Sequence, residues 1–379
     1  MANNTKTAAT KSEDAVTKIV TIGSIKDLQD LIGSTLPSST REQFLASLAP
    51  PVGSSVEQQR MARLQAYVSD KSATLSDDDQ KYADSFFPMK MAQTTGTKKT
   101  ISDLETFKPG SMPQLINVDE LIFDGGALLY ESTQVTIKAN KVTVKQNCPG
   151  IPYHIGLTGS DGNAGSAGQS GAAGPNGQNG TGGTGYANAG SPGENGKAGS
   201  SGNTGTAGNP SSLAHLNFGT VAIDGSSPLS LYIKQGDGGQ GGPGGTGGAG
   251  GTGGSGGTAH SSGCQDLSDG GKGGAGGNGG NGGNGGQGGQ GSPTTGAVIL
   301  TMPRAQESSV AINSVRGAGG AGGAGGGAGS AGTGGQGGNG TKHRNHGPQG
   351  SNGTAGSAGA QGTLGRSGPA ATVTKNNNA

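Results

Sequence analysis

The chain has no tryptophan, and tyrosine and phenylalanine number six each among its 379 residues. Aromatics at 3% leave little on which nucleic-acid bases could stack. The formal net charge of +1, with the charges scattered, gives no electrostatic footprint for nucleic acid or an anionic membrane surface. No apolar run approaches the ~20 residues of a membrane span, which argues against membrane insertion. The N-terminus, Met1-Ala2-Asn3-Asn4-Thr5-Lys6, lacks the apolar stretch of a secretory signal. A protein of this kind that acts outside a cell leaves by lysis, in a virion or through a dedicated exporter. Two cysteines and five histidines match no zinc spacing. There is no GxSxG elbow, no HExxH and no P-loop ending in Gly-Lys-Ser/Thr, while GxGxxG strings are accidental in glycine-rich text. These absences point to a protein that is not an enzyme and carries no cofactor or metal.

What the chain has instead is glycine, 84 residues of it, against 28% apolar residues. Ordinary globular domains hold ~45–50% apolar residues, so no large hydrophobic core is available. Glycine returns at every third position from Gly156 to Gly183 and from Gly190 to Gly208. It runs as a doubled GGX repeat from Gly238 to Gly257 and from Gly270 to Gly291. A third pair of runs extends from Gly317 to Gly338 and from Gly347 to Gly368. The breaks near positions 187, 264 and 344 lie about eighty residues apart, which marks an internal repeat of glycine hairpins with polar tips. A polyproline-II-type rod has three residues per turn and rises ~3.1 Å per residue, so a glycine at every third position makes one stripe along which rods can approach and share backbone hydrogen bonds. The expected structure is a bundle of about six polyglycine-II helices in three hairpins, 156–208, 238–291 and 317–368, roughly 60 to 85 Å long. A collagen-like trimer is the lesser reading because proline is scarce in the arms. A flexible glycine linker has no reason to keep frame for ten triplets. Two glycine stripes in the GGX runs place the second hairpin at the centre of the bundle and the first at its edge.

Residues 1–20 read as a polar tail and 21–93 as a small α-helical domain. Its helices start at Ser24, at Ser39 with a Ser39-x-x-Glu42 capping box and a Pro50-Pro51 stop, at about Ser55 and at Ser76. Its apolar stripes serve as its own core or as a face that docks to a larger assembly. Residues 94–112 read as a linker. Short strands with β-branched residues then recur over 113–148, 213–235, 297–316 and 370–375, interrupted by turn-like Asp124-Gly125-Gly126 and Ala139-Asn140. Together these form a β base over 113–376 that carries the hairpins. A solenoid is favoured because strand text recurs in each repeat, with a sandwich as the alternative. Cys148 at the base and Cys264 in the second tip should lie a hairpin length apart, out of reach of a disulfide.

The non-glycine residues gather in three tips, 186–189, 258–269 and 341–346, and loops on a rigid scaffold are the usual place for recognition. The candidate receptor-binding residues are Tyr186, Asn188, His260, Ser261, Gln265, Asp266, Lys342, His343, Arg344, Asn345 and His346. Solvated turns are the plain alternative, and His343 with His346 lacks the carboxylate partner that would favour a metal. Glycine arms at Gly238–Gly257, Gly270–Gly291 and Gly317–Gly338, interrupted by short tips, resemble the receptor-recognising tail-fibre adhesins of T-even-type bacteriophages. The resemblance implies a polyglycine-II bundle whose distal loops bind bacterial outer-membrane proteins or lipopolysaccharide, and an N-terminal part that attaches to a fibre. It covers roughly residues 156–368, and glycine-rich antifreeze proteins share the helix type. Three functions compete. The first is an extracellular or virion adhesin for a cell-surface protein or glycan. The second is a self-assembling, homo-oligomeric protein of a filament, matrix or surface layer. The third is an ice-binding protein, disfavoured because the arms mix Asn, Gln, Ser, Thr and Ala.

Overall fold

The computed structural model describes residues 14–48, 55–182, 186–225, 227–262, 265–294 and 296–378. In chain order it holds β1 (Val16–Ile22), α1 (Ile25–Ile32), α2 (Ser38–Leu48), α3 (Val56–Ser69), α4 (Asp77–Asp84), β2 (Met89–Ile101), β3 (Leu104–Phe107), β4 (Gln114–Asp124) and β5 (Ala127–Glu131). There follow β6 (Val135–Gln146), β7 (Ile155–Thr158), β8 (Ala214–Ile223), β9 (Leu229–Lys234), β10 (Ser261–Ser262), β11 (Gln265–Asp266), β12 (Ala297–Pro303), β13 (Val310–Val315) and β14 (Thr372–Asn378).

Two sheets carry the fold. One has the order β1-β2-β4-β6-β8-β12-β14 and the other β13-β9-β7-β5-β3. Every described pairing in them is parallel except β1 with β2. From β2 onward the long strands alternate between the sheets, so the chain coils and each turn adds one strand to each face. Parallel sheets must be covered on both faces, and the inner faces meet in one core that includes Phe123, Leu128, Tyr130, Ile137, Leu157, Phe218, Leu231 and Leu300.

In the longer sheet the inward alternation slips by one residue at the same level of three successive strands. Val118 and Leu121, Ala139 and Val142, and Phe218 and Val221 all face the core, and these residues are register partners. A bend runs through the sheet there. The Asn140 side-chain amide donates to Asp119 Oδ1 across it at 2.9 Å. A Cβ on Gly219 would meet the Asn140 carbonyl at 2.4 Å, so only glycine fits at that step. The turn expected at Ala139-Asn140 is therefore this bend, and β6 continues through it.

The fold class read from the sequence requires correction. The framework is two mostly parallel sheets, and the helices do not form a domain of their own. Ile25, Leu28 and Ile32 of α1 and Leu64, Tyr67 and Val68 of α3 share a cluster with Met91 and Leu115 of the sheet. Leu36 and Phe44 pack on Ala297 and Ile299. Four short helices bury too little apolar surface among themselves, so the outer face of the sheet completes their core. The bundle of polyglycine-II helices is corrected as well: among the described residues the glycine runs contain no helix, and the helices are α1–α4 and one 3-10 turn at Arg304–Ser309. The runs are extended segments whose backbone bonds lead to other segments.

Boundaries moved for physical reasons. Residues from Val16 onward belong to β1 rather than to a tail, and most of the supposed linker lies in β2 and β3. Their Lys and Thr residues hide strands that pair with sheet neighbours. The helix α2 begins at Ser38, with the Arg41 N–H on the Pro37 carbonyl at 2.8 Å. Ser39 is thus the second residue of the helix, and its side chain lies outside the described ones. Pro50-Pro51 falls outside the described residues. The N-caps at Ser24 and Ser76 are present, each accepting an N–H three residues on, and Ser55 with Gln58 forms a full capping box. Arg63 holds Asp79 through two bonds of 2.6 and 2.8 Å, tying α3 to α4. That pairing lowers the Asp79 carboxyl to about 2.

All three glycine excursions leave from the shorter sheet and return to the longer one: from β7 to β8, from β9 to β12 and from β13 to β14. The coil geometry therefore roots them side by side.

Candidate functional site

The arms form a cross-linked lattice. Outgoing segments 159–182, 236–258 and 317–340 lie side by side, as do returning segments 186–209, 270–291 and 347–368. Gly171 N–H donates to the Thr246 carbonyl at 2.7 Å and Gly247 N–H to the Gly327 carbonyl at 2.9 Å. On the other layer, Gly196 N–H reaches Asn278 O and Gly279 N–H reaches Thr354 O, both at 2.8 Å. Bonds between the layers run antiparallel, such as Gly280 to Gly248 and Gly329 to Gly280, both 2.8 Å. Each pattern repeats every three residues. Both segments of the second hairpin bond to four neighbours, whereas segments 159–182 and 347–368 bond to two. Asparagines extend the cross-links. Asn278, Asn281 and Asn284 accept the N–H groups of Thr354, Ser357 and Ala360 at 2.8–2.9 Å. A lattice tied at this density, with its buried backbone groups paired, is a stiff support.

At the end of the lattice farthest from the sheets, the three tips adjoin. Residues 183–185, just before the first tip, and 263 and 264 of the second, Cys264 included, lie outside the described residues. So do the side chains of Ser262, Gln265 and Asp266. The backbone of the second tip folds into a two-stranded hairpin, β10 against β11, with Ser261 opposite Asp266 and Ser262 opposite Gln265. The Leu267 N–H closes it on the His260 carbonyl at 3.0 Å.

Two consecutive residues tie the tips together. The Ser268 hydroxyl accepts the Ala187 N–H of the first tip at 3.2 Å. Asp269 Oδ1 accepts the Asn345 N–H of the third tip at 3.0 Å, and Gly270 N–H returns to the Asn345 carbonyl at 2.9 Å. Ser268 is buried, consistent with a supporting role.

The expected site residues divide accordingly. Asn188 bonds to Thr181 through both its N–H and its side-chain amide, and its carbonyl receives Gly257 N–H at 2.8 Å. The backbone of Asn345 is spent on the second tip. His346 Nδ1 accepts the Gly340 N–H at 3.2 Å. Thr341 and Arg344 form a small bridge that closes the third tip, and the His343 N–H rests on the Thr341 hydroxyl at 3.4 Å. These groups shape the loops. The surface presented to solvent includes the Tyr186 ring, 80% exposed, with Ser261, Leu267, Lys342, His343 and Arg344 exposed and His260 partly so. Sequence reasoning missed Leu267 and Ser268. The signal available was position alone, immediately before the glycine frame resumes at Gly270.

Among the described residues no group of three or more His, Cys, Asp or Glu is placed to hold a metal ion, and no helix is long and apolar enough to cross a membrane. Cys148 is buried with a free thiol. No protein-family model, curated protein or solved structure matches the chain.

Proposed function

We propose that this chain is a non-enzymatic recognition protein that acts outside a cell or on a virion and binds a cell-surface protein or glycan through its three adjoining tips. The observation that carries this reading is the pair Ser268 and Asp269, which joins three loops from separate repeats into one surface on a stiff support. An exposed aromatic ring together with exposed hydroxyl and cationic side chains on the joined tips suits stacking on a sugar ring or capture of anionic groups. Preorganised loops lose little entropy on binding, which makes a rigid lattice a useful mount.

Labelled protein should bind intact bacterial cells in flow cytometry. A variant with 186–189, 258–269 and 341–346 replaced by Gly-Ser should lose at least about tenfold in affinity while its far-ultraviolet circular dichroism is retained, as for a surface that holds the binding anchors. Unchanged binding by that variant would refute the proposal. Tyr186→Ala should reproduce much of the loss, because a single exposed aromatic anchor commonly dominates such a surface.

Self-assembly is favoured by a separate observation. Among the described residues the long sheet ends in two edges, β1 and β14, each with a partner on one side only. β1 also exposes Val16 and Ile19, 55% and 61% accessible. Unpaired edges are templates for strand addition, and joining unlike edges head to tail builds an open filament. Sedimentation velocity over a wide range of concentration checks this. A species that grows with concentration in the parent, and stays monomeric in Ile19→Lys, is the outcome expected of end-to-end association. A parent that stays monomeric throughout leaves the tips as the working surface.

A further inference from the structure

A cavity of about 450 Å³ lies between the helical layer and the root of the first glycine hairpin, and neither the tips nor the sheet edges involve it. One wall is the face of α3 made by Met61, Leu64, Gln65 and Val68, at helical spacing, with Leu28 of α1 and Phe87 beyond α4 beside it. The opposite wall comes from the start of β6 and the hairpin root, and carries Ser132, Gln134, Ser160, Asn209 and Ser212. Met61 and Phe86, 39% and 53% exposed, also line it, so the cavity opens to solvent on their side.

The polar wall is only partly spent. Ser132 Oγ accepts the Ser160 N–H, and the Asn209 amide donates to Ser160 Oγ, both at 2.9 Å. The Ser212 hydroxyl is buried without a hydrogen-bond partner among the described residues. Gln134 and Gln65 line the space with side-chain amides that make no hydrogen bond among the described residues. A buried hydroxyl left unpaired calls for a partner. No Asp, Glu, Lys, Arg or His lines the cavity among the described residues. Its volume falls in the range of small-molecule sites, roughly 300–1,000 Å³, which are mostly apolar with a few placed polar groups.

We propose that this cavity binds a neutral single-chain amphiphile, its hydrocarbon end against α1 and α3 and its hydroxyl-bearing head against Gln134 and Ser212. Neutrality follows from the lining: a carboxylate would be desolvated there with no cation to pair with it.

Isothermal titration of the full chain with 1-monodecanoylglycerol, below its aggregation concentration, should give saturable binding at one site. Decanoate at pH 8 should bind at least about tenfold more weakly, since it pays the desolvation of its charge. Met61→Trp, which fills the mouth from a partly exposed position, should reduce monodecanoylglycerol binding at least tenfold with the melting temperature kept. Should that variant fail to fold, Gln134→Leu is expected to weaken the same binding. The variant with Gly-Ser tips should bind monodecanoylglycerol as the parent does, which separates this site from the recognition surface. Absence of saturable binding, equal affinity for decanoate, or undiminished binding in the folded cavity variants would each overturn the proposal. The first of these outcomes would leave the cavity to an apolar side chain of a protein partner.

Discussion

Gly326→Ala should lower the melting temperature by on the order of 5–10 °C, while Gly327→Ala, one residue along, should leave it unchanged or raise it slightly. A Cβ on Gly326 would lie 2.0 Å from the Gly245 carbonyl oxygen and 2.6 Å from its carbon. That carbonyl cannot give way cheaply, because it accepts the Gly283 N–H at 2.8 Å, and the Gly283 carbonyl accepts the Gly326 N–H at 2.8 Å. One methyl group therefore strikes a closed set of backbone bonds among three segments. A cost of at least about 3 kcal/mol is expected, the upper end for overpacked interiors, because the obstacle is backbone rather than a side chain that can rotate. A Cβ on Gly327 meets only Thr246 Cγ2, at 3.7 Å. There the substitution acts mainly on the unfolded chain, whose freedom it reduces, for a gain of roughly 0.4–1 kcal/mol. Differential scanning calorimetry of the two variants checks both signs. Equal melting temperatures for the two would show that the lattice does not depend on close approach of its backbones.

The second large effect is a loss of stability in mild acid centred on His215. This imidazole sits fully buried beneath α3, with Nε2 and the Ser69 hydroxyl 3.0 Å apart and Nδ1 without a partner among the described residues. Burial, and the nearby Lys138 ammonium, push its pKa down from 6.5 to about 4. The folded protein thus resists a proton that the unfolded chain takes up readily. Above pH 6.5 both states are neutral at this residue and stability is held in full. As the pH falls from 6.5 to 4 only the unfolded state binds the proton, so stability drops with acid by about 3 kcal/mol. Below that window the native state is protonated too and this contribution levels off. His154, also pushed down by burial, acts in the same direction. Urea unfolding at pH 7.5 and at pH 4.5 should show the loss, and His215→Gln should make the two midpoints converge. A parent protein with equal stability at both values would contradict the burial of a neutral imidazole.

Much of the local structure was legible in the chain. Ser24, Ser55 and Ser76 each start a helix because their hydroxyls accept an N–H within the first turn. Spacing was informative in the arms as well. The doubled GGX runs 238–257 and 270–291 lie in the segments with four bonded neighbours, segment 317–340, doubled over much of its length, has three, and the single-glycine runs 159–182, 186–209 and 347–368 have two or three. Every glycine that a neighbour's backbone crowds corresponds to a face where no Cβ can fit. Less legible were β1 and β2. Val16-Thr17-Lys18-Ile19 and Thr94-Thr95-Gly96-Thr97-Lys98-Lys99 read as polar text, because one side of these strands faces solvent or the end of the stack. The bend at Asn140 imitates a turn, since both break a period of two.

The tips show the same division. Their positions follow from where the glycine frame lapses, but their contacts do not. Ala187 and Ser268, or Asp269 and Asn345, are about eighty residues apart in sequence. The coil of the two sheets roots the three hairpins side by side, and only that arrangement brings the loops together. By itself, then, the sequence determined the helix starts at Ser24, Ser55 and Ser76, the glycine frame and the location of the loops. Each of these depends on interactions within a few residues or on a strict spacing. The tertiary structure alone decided that the helices lie on the long sheet, which segments each glycine run bonds to, and that the tips form one surface. Those outcomes depend on register between distant strands and on which apolar faces find cover, and no local pattern in the chain records either.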